Sequence, residues 1–262
     1  MPRVSVIIPA LNEKENLPHV LPRIPRWVHE VVLVDGNSTD GTLQVACDLW
    51  PNNHIVRCER RHRAHPLSQF EKNRRSDGIT LRLIMQTGRG KGDALRIGFA
   101  AAQGDVIVTL DADGSNDPAE IPAFVGALLT GADFAKGSRF LQGGGTSDMP
   151  FYRKLGNWGL TMAVRLLFGG RYSDLCYGYN AFWARAIPAL NLHSDGFEIE
   201  TLINVRARMA NLRITEVPSF ESKRIYGSGR LRTIPDGWRV LKTILGERMN
   251  RSRFGDESAN RG

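Results

Sequence analysis

Three short runs leave this chain little choice of architecture. RVSVIIP (residues 3–9), EVVLVDG (30–36) and DVIVTL (105–110) are almost unbroken stretches of β-branched and aliphatic residues. A strand with one wet face alternates apolar and polar residues. A strand without alternation is covered on both faces, as in a parallel sheet wrapped by helices. Segments with helical spacing lie between the runs, GDALRIGFAAAQG (92–104) among them. NSTDGTLQVACDLW (37–50) offers Ser38, Thr39 or Asp40 as a helix cap. The shorter runs NHIVRC (53–58) and LRLIMQ (81–86) continue the alternation. The expected fold class is therefore α/β, a mainly parallel sheet flanked by helices.

The second half is less regular. FYRKLGNWGLTMAVRLLFGG (151–170), FEIETLINVRARMA (197–210) and IPDGWRVLKTILGERM (234–249) read as helices, and LRITEVPSFE (212–221) as a strand. YSDLCYGYNAFWARA (172–186) and the basic SKRIYGSGRLR (222–232) read as loops or short strands. The 262 residues suit a single domain over 1–250, with halves divided near residue 140 and a flexible tail at 251–262. No run reaches the roughly 18–20 apolar residues of a spanning helix, and the N-terminal run reads as a first strand rather than a signal peptide. Cys47, Cys58 and Cys176 are far apart without C-x-x-C spacing, which suits reduced thiols and a cytoplasmic location.

The formal net charge is +8. Much of the excess sits in 57–82, where Arg57, Arg60, Arg61, Arg63, Lys72, Arg74, Arg75 and Arg82 face only Glu59, Glu71 and Asp77. That stretch reads as a basic loop insertion. A basic balance suggests anionic partners, namely nucleotides, lipid phosphates or nucleic acid, without choosing among them. The sequence motifs of recognised nucleic-acid modules are missing, so no nucleic-acid partner is expected.

In parallel sheets ligands bind outside the carboxyl ends of the strands, and Asp35 and Asp111 fall there. TLDADGSNDP (109–118) sets Asp111, Asp113 and Asp117 within seven residues. Asp111 and Asp113 can converge on a hard cation such as Mg²⁺ or Mn²⁺ shared with a diphosphate, or they can simply form a turn. Asp117 suits a helix cap ahead of Pro118. Asp35 can accept hydrogen bonds from a nucleobase or ribose, or serve a turn. TGRGKGDA (87–94) can cradle phosphate, with Arg89 and Lys91 as counter-charges, although it is not a Walker A sequence.

Taken together, VIIPALNEKENL (6–17), VVLVDGNSTDGT (31–42), GRGKGDALRIGFAAAQGDVIVTLDADGSNDP (88–118) and AKGSRF (135–140) follow the order and spacing of family 2 glycosyltransferases of the GT-A fold. DLCYGYNAFWARA, DGFEIET, LRITEVPSFESKRIYGSGRL and DGWRVLKTIL resemble the dolichol-phosphate or polyprenyl-phosphate mannosyltransferase branch, and the resemblance spans about residues 3–248. It implies a Rossmann-like nucleotide-binding sheet. Pro9, Ala10, Leu11, Glu13 and Asp35, with Lys91, Asp111 and Ala112, would line the nucleotide-sugar pocket. Asp111 and Asp113 would hold Mg²⁺ or Mn²⁺. Arg139, Arg153 and Arg224 would hold the acceptor phosphate. Two positions depart from the branch: Ser115 stands where Gln is frequent, and Asn157 where Ser is frequent. The basic insertion is also unusual, and many members append transmembrane helices.

The resulting expectation is a metal-dependent inverting transfer from a GDP- or UDP-sugar to polyprenyl phosphate. The alternatives are a soluble transferase acting on a hydroxyl of a small molecule or glycan, a nucleotidyltransferase, and a non-catalytic nucleotide-sugar binding protein. A hydroxyl acceptor needs a base, and Asp195, Glu198 and Glu200 are candidates, with Glu198 placed among the catalytic residues. Their other reading is helix-start charge. The C-terminal helix, with Arg232, Arg239, Lys242, Arg248, Arg251 and Arg253 along or near it, either packs on the domain or docks peripherally at the inner face of the cell membrane.

Overall fold

The computed structural model describes residues 1–50, 55–58, 78–229 and 233–250. In chain order the strands are β1 (Val4–Ala10), β2 (Glu30–Asp35), β3 (Ile55–Cys58), β4 (Thr80–Met85), β5 (Val106–Thr109), β6 (Phe134–Ser138), β7 (Gly145–Thr146), β8 (Asn180–Trp183), β9 (Ile214–Pro218) and β10 (Phe220–Glu221). The helices are α1 (Leu17–Val20), α2 (Thr42–Asp48), α3 (Lys91–Ala101), α4 (Ile121–Leu129), α5 (Phe151–Phe168), α6 (Ile187–Leu190), α7 (Ile199–Met209) and α8 (Thr233–Met249).

Eight strands form one sheet in the order β3-β4-β2-β1-β5-β8-β6-β9. Only β8 runs antiparallel, between β5 and β6. β7 and β10 pair as a separate two-stranded ribbon. The residues that read as doubly covered are so: Val6, Ile7, Ile8, Val31, Val32, Leu33, Val34, Val106 and Val108 are all buried. Alternate side chains of β1 enter opposite cores. Val6 and Ile8 join Leu17, Leu33 and Phe124 on one face, and Ile7 joins Leu95, Phe99 and Phe182 on the other. Fully burying each such side chain contributes roughly 1.5–3 kcal/mol. A third cluster, Val164, Phe168, Val205, Val240 and Ile244, joins α5, α7 and α8.

Two expectations change, and one strand is added. The insertion is narrower than 57–82, because β3 runs to Cys58 and β4 begins at Thr80; residues 59–77, like the tail 251–262, lie outside the described residues. The cap of α2 is Gly41, at φ 93°, while Asp40 one residue earlier accepts from the amides of Thr42 (2.9 Å) and Lys14 (3.1 Å). β6 is a strand with no apolar run. Its Phe-Ala-Lys-Gly-Ser sequence is buried throughout, with Lys136 Nζ donating to the carbonyls of Gly137 (3.1 Å) and Tyr177 (3.3 Å). Asp117 does cap the turn beginning at Pro118, accepting from the Ala119 amide at 2.9 Å. β6 precedes residue 140 but pairs only with β8 and β9, which follow it.

Candidate active site

The chain crosses from one side of β1 to the other between β4 and β5, so a crevice forms where the carboxyl ends of β1 and β5 diverge. A cleft of about 850 Å³ opens there. Its floor includes Pro9, Ala10 and Leu11 at the end of β1 and Asp111, Ala112 and Asp113 after β5. The N-terminal halves of α5 and α8 and residues of the 221–229 segment also line it.

The Asp111–Asp117 turn is built by its own polar groups. The Asp111 amide donates to Asn116 Oδ1 (3.0 Å), and the Ser115 amide donates to Asp113 Oδ1 (3.0 Å). Gly114 takes φ 80°, and a Cβ there would lie 2.5 Å from Ile225. The turn and the ligand readings of these aspartates are thus compatible: the turn aims both carboxylates at the cleft.

Two cations meet them. Lys91 Nζ, on the first residue of α3, lies 2.6 Å from both Asp111 Oδ1 and Glu200 Oε1. Gly90 before it has φ 88°, and a Cβ there would lie 2.2 Å from the Asp195 carbonyl oxygen. Arg224 donates to the Glu13 carboxylate and approaches Asp113 Oδ2 at 3.3 Å. Burial works against the Lys91 ammonium, but Asp111 and Glu200 outweigh it and push the pKa above its ordinary value. Burial pushes Asp111 up to about 6, with Asp113 and Glu200 adding to the rise and Lys91 opposing it.

With all groups ionised, Glu13, Asp111, Asp113 and Glu200 against Lys91 and Arg224 leave two negative charges. Carboxylate oxygens with that surplus suit Mg²⁺ or Mn²⁺. No group of three His, Cys, Asp or Glu side chains placed to hold one metal ion occurs among the described residues. Asp111 and Asp113 would therefore share a cation with diphosphate or water oxygens.

The remaining candidates separate. Asp35 is buried and lies outside the cleft lining. Its Oδ2 accepts from the Ser38 amide at 2.9 Å, while Oδ1 has no partner among the described residues. Arg139 lines the cleft, yet each of its three guanidinium nitrogens is engaged. They bond Asp174 (2.7 and 2.9 Å), Glu221 (3.1 and 3.0 Å) and the Cys176 carbonyl (2.8 Å), and the guanidinium stacks 4.7 Å over the Tyr177 ring. The guanidinium is thus held between Asp174 and Glu221 by the protein's own acceptors. Glu198 does not line the cleft, and its Oε1 instead accepts from the Gly196 amide at 3.2 Å. Asp195 pairs with Arg96 outside it. Glu200 is the member of that trio that enters the cleft.

Arg153 lines the cleft in the first turn of α5, and its guanidinium forms no hydrogen bond or ion pair with a described residue. One turn on, Asn157 is 3% exposed; its Oδ1 accepts from the Cys176 amide at 3.0 Å, and its Nδ2 is buried without a partner among the described residues. Buried donors without partners are rare and call for a ligand or water. Lys223, exposed at the rim, is a further cation facing the cleft that the sequence reading did not single out. Its signal was adjacency to Arg224 in the basic motif. Arg224 itself sides with the acidic floor, and its segment is tied there: the Ile225 amide donates to the Asp113 carbonyl (3.2 Å) and the Ser222 amide to the Ser115 carbonyl (2.9 Å).

The mainly parallel sheet flanked by helices is of the GT-A fold. Among solved structures, glucosyl-3-phosphoglycerate synthase from Mycobacterium tuberculosis, in complex with Mn²⁺, uridine diphosphate and glucosyl-3-phosphoglycerate, shares this fold. The TM-score is 0.65 at 21% identity, over 94% of this chain and 79% of that one. The model of glycosyl transferase family 2 matches residues 5–67 and 64–187, and the chain belongs to that family. It is a glycosyltransferase, which sets aside the nucleotidyltransferase and non-catalytic readings. The chain is 30% identical over 237 residues to a dolichol-phosphate mannosyltransferase of Pyrococcus furiosus, covering 88% of this chain and 59% of that longer protein. It is also 30% identical over 238 residues to an undecaprenyl-phosphate mannosyltransferase of Micrococcus luteus, covering 87% of each. No helix among the described residues is long and apolar enough to cross a membrane.

Proposed function

We propose that this protein transfers a sugar from a nucleoside-diphosphate sugar to a polyprenyl phosphate with inversion at the anomeric carbon. The observation that carries the proposal is the pair of unengaged donors, Arg153 and Asn157 Nδ2, on α5 in the cleft that Asp111 and Asp113 also line. A phosphate held there shares the cleft with the donor floor. The names of the Pyrococcus and Micrococcus relatives support a lipid-phosphate acceptor.

Asp111 and Asp113 would hold Mg²⁺ or Mn²⁺, which would supply positive charge to the leaving diphosphate. Pro9, Ala10 and Leu11 flank the nucleotide. Lys91 adds positive charge beside Asp111. The acceptor phosphate, with a second pKa of about 6, arrives already anionic, so no side chain must remove a proton. Its oxygen bonds to the anomeric carbon as the bond to the diphosphate oxygen breaks, and nucleoside diphosphate leaves. Arg153 and Asn157 orient the attacking phosphate. Arg139 holds Asp174, Glu221 and the Cys176 carbonyl in place around it.

A second reading, a hydroxyl acceptor, is favoured by one observation: Glu200 lines the cleft. It would have to leave Lys91 to act as the base. The two readings separate in an assay of GDP- and UDP-sugars against polyprenyl phosphate and water-soluble alcohols, with and without Mn²⁺. The expected result is a product that extracts into organic solvent, nucleoside diphosphate release, and dependence on the metal. Transfer only to water-soluble hydroxyls would overturn the lipid-phosphate reading. Near-normal turnover in Asp113→Ala would overturn the role given to the metal.

A further inference from the structure

Asn16 immediately precedes α1 and is buried, outside the cleft lining. An asparagine at a helix start ordinarily caps its own helix, but this one makes no such bond. Its carboxamide serves two distant groups instead. Oδ1 accepts from the Tyr226 amide at 2.9 Å. Nδ2 donates to the Tyr226 carbonyl at 3.2 Å and to Glu13 Oε2 at 2.6 Å. A carboxamide offers an acceptor and two donors on one plane, so Asn16 satisfies both backbone groups of Tyr226 and still holds the Glu13 carboxylate. The His19 ring, on α1, lies 5.6 Å from the Tyr226 ring and adds a second contact to the same residue.

Arg224 uses the same two acceptors. Its Nε donates to the Tyr226 carbonyl at 2.6 Å, and one Nη donates to Glu13 Oε2. The other Nη reaches Asp113 Oδ2 at 3.3 Å. Asn16, Glu13, Arg224 and the Tyr226 carbonyl thus close a ring of hydrogen bonds, of which Glu13 and Arg224 line the cleft. Glu13 is itself fixed at its backbone, where its amide donates to Thr42 Oγ1 at 2.9 Å. A long arginine side chain samples many rotamers when nothing holds it. Here the planar guanidinium is held at two nitrogens, which sets the third at Asp113. Both of the acceptors that hold it are in turn held by Asn16.

We infer that Asn16 is a positioning residue of the active site: it fastens the 222–229 segment to the loop after β1 and so sets the Arg224 guanidinium at the Asp113 end of the cleft, where it meets a phosphate of one of the two substrates. The inference rests on the proposed transfer for the source of that phosphate, the donor diphosphate or the acceptor. The fastening itself needs no substrate.

The fastening is read by hydrogen–deuterium exchange of the full chain without substrates. Asn16→Leu keeps the branched shape and removes all three side-chain bonds. It should speed exchange of peptides across 222–229 about tenfold or more, with peptides of β2 and β5 unchanged. Asn16→Asp keeps only the acceptor for the Tyr226 amide and carries the same test if circular dichroism shows the leucine variant unfolded. The positioning is read from two constants, the Kd of GDP and of UDP with Mn²⁺ in calorimetry and the KM for polyprenyl phosphate. Arg224→Met should raise one of them about tenfold or more, and which one rises identifies the source of the phosphate. Asn16→Leu should raise the same constant. In the Arg224→Met background it should add less than about twofold, because a residue that acts through Arg224 then has nothing left to place. Unchanged exchange across 222–229 overturns the inference. So do effects that simply add in the double variant, an Asn16→Leu that leaves both constants at parent values, or an Arg224→Met that raises neither. A parent chain that binds nucleoside diphosphate but makes no lipid-linked product sinks the acceptor reading instead, and exchange and calorimetry still decide the role of Asn16.

Discussion

Replacing Arg139 by methionine separates an anchoring role from phosphate binding. The Arg139 side chain is 3% exposed and that of Asp174 is 0% exposed, and they share two charge-assisted hydrogen bonds of 2.7 and 2.9 Å. Arg139→Met leaves Asp174 as a buried charge without its partner, along with part of the Glu221 carboxylate. Breaking a buried pair in this way costs about 3–5 kcal/mol. For a chain of this size each kcal/mol lowers Tm by about 2–4 °C, so a fall of roughly 6–20 °C is expected in thermal unfolding followed by circular dichroism. The double change Arg139→Met with Asp174→Leu should recover part of the loss, because the orphaned charge is gone. The pH dependence has a definite sign. Burial pushes the Asp174 carboxyl up, but the hydrogen bonds and charge of Arg139 outweigh it and hold it below the usual carboxylate range. A depressed folded-state pKa contributes stability above the unfolded value of about 3.9 that is lost as pH falls through the folded value. Without the Arg139 side chain, burial is opposed only by the Lys136 charge and the residue-139 amide, so in the single variant this contribution should shrink or reverse, with the Asp174 carboxyl pushed up. A stability loss under about 1 kcal/mol together with a large rise in acceptor KM would refute the anchor and restore Arg139 as a phosphate ligand.

Arg153→Met and Asn157→Leu should raise KM for polyprenyl phosphate, Arg153→Met by about 10–100-fold for a lost charged contact. Nucleoside-diphosphate binding measured by calorimetry should stay unchanged, and weakened nucleotide binding would place these residues on the donor side instead. Gly159 lies inside α5 with open space where a Cβ would be, so Gly159→Ala should stabilise the fold by about 0.5–1 kcal/mol in urea unfolding; destabilisation would mean the glycine has a packing role. Burial pushes the Cys176 thiol up to about 12, which leaves a thiolate fraction of about one in ten thousand at pH 8. Iodoacetamide should then label it slowly in the folded protein and readily after denaturation, as read by mass spectrometry. Its raised folded-state pKa also predicts stability that declines as pH rises above the unfolded thiol value of about 8.5.

How much of this was legible in the sequence depends on how each position is determined. β1, β2 and β5 were readable because double burial demands continuous apolar runs, and strand ends with aspartate pointed to the cleft. β6 was not, since Lys136 is accommodated by two backbone carbonyls rather than by polarity matched to water. The choice between Glu198 and Glu200 was also closed to it. Consecutive helix positions turn by about 100°, so which acid faces inward depends on a helix start that no local signal fixes to the residue. Arg139 shows a third limit. Its motif marked the position, but only the placement of Asp174 and Glu221, distant in the chain, shows that its donors are already engaged. Asn157 was noticed as a departure from the family pattern, and its unpartnered Nδ2 gives that departure a physical meaning.

The pairing of β6 bears on how such an enzyme can change over time. This strand is made before residue 140, yet every ladder bond it has goes to β8 and β9, made after it. A fragment ending near residue 140 would strand β6 without neighbours and uncover the flank of β5 that β8 protects. The two parts of the chain therefore cannot be traded between proteins as separate cassettes by recombination at that point. Change in the cleft lining must come by substitution in place, on α5, on α8 and in the 222–229 segment, around a sheet that both parts inherit together.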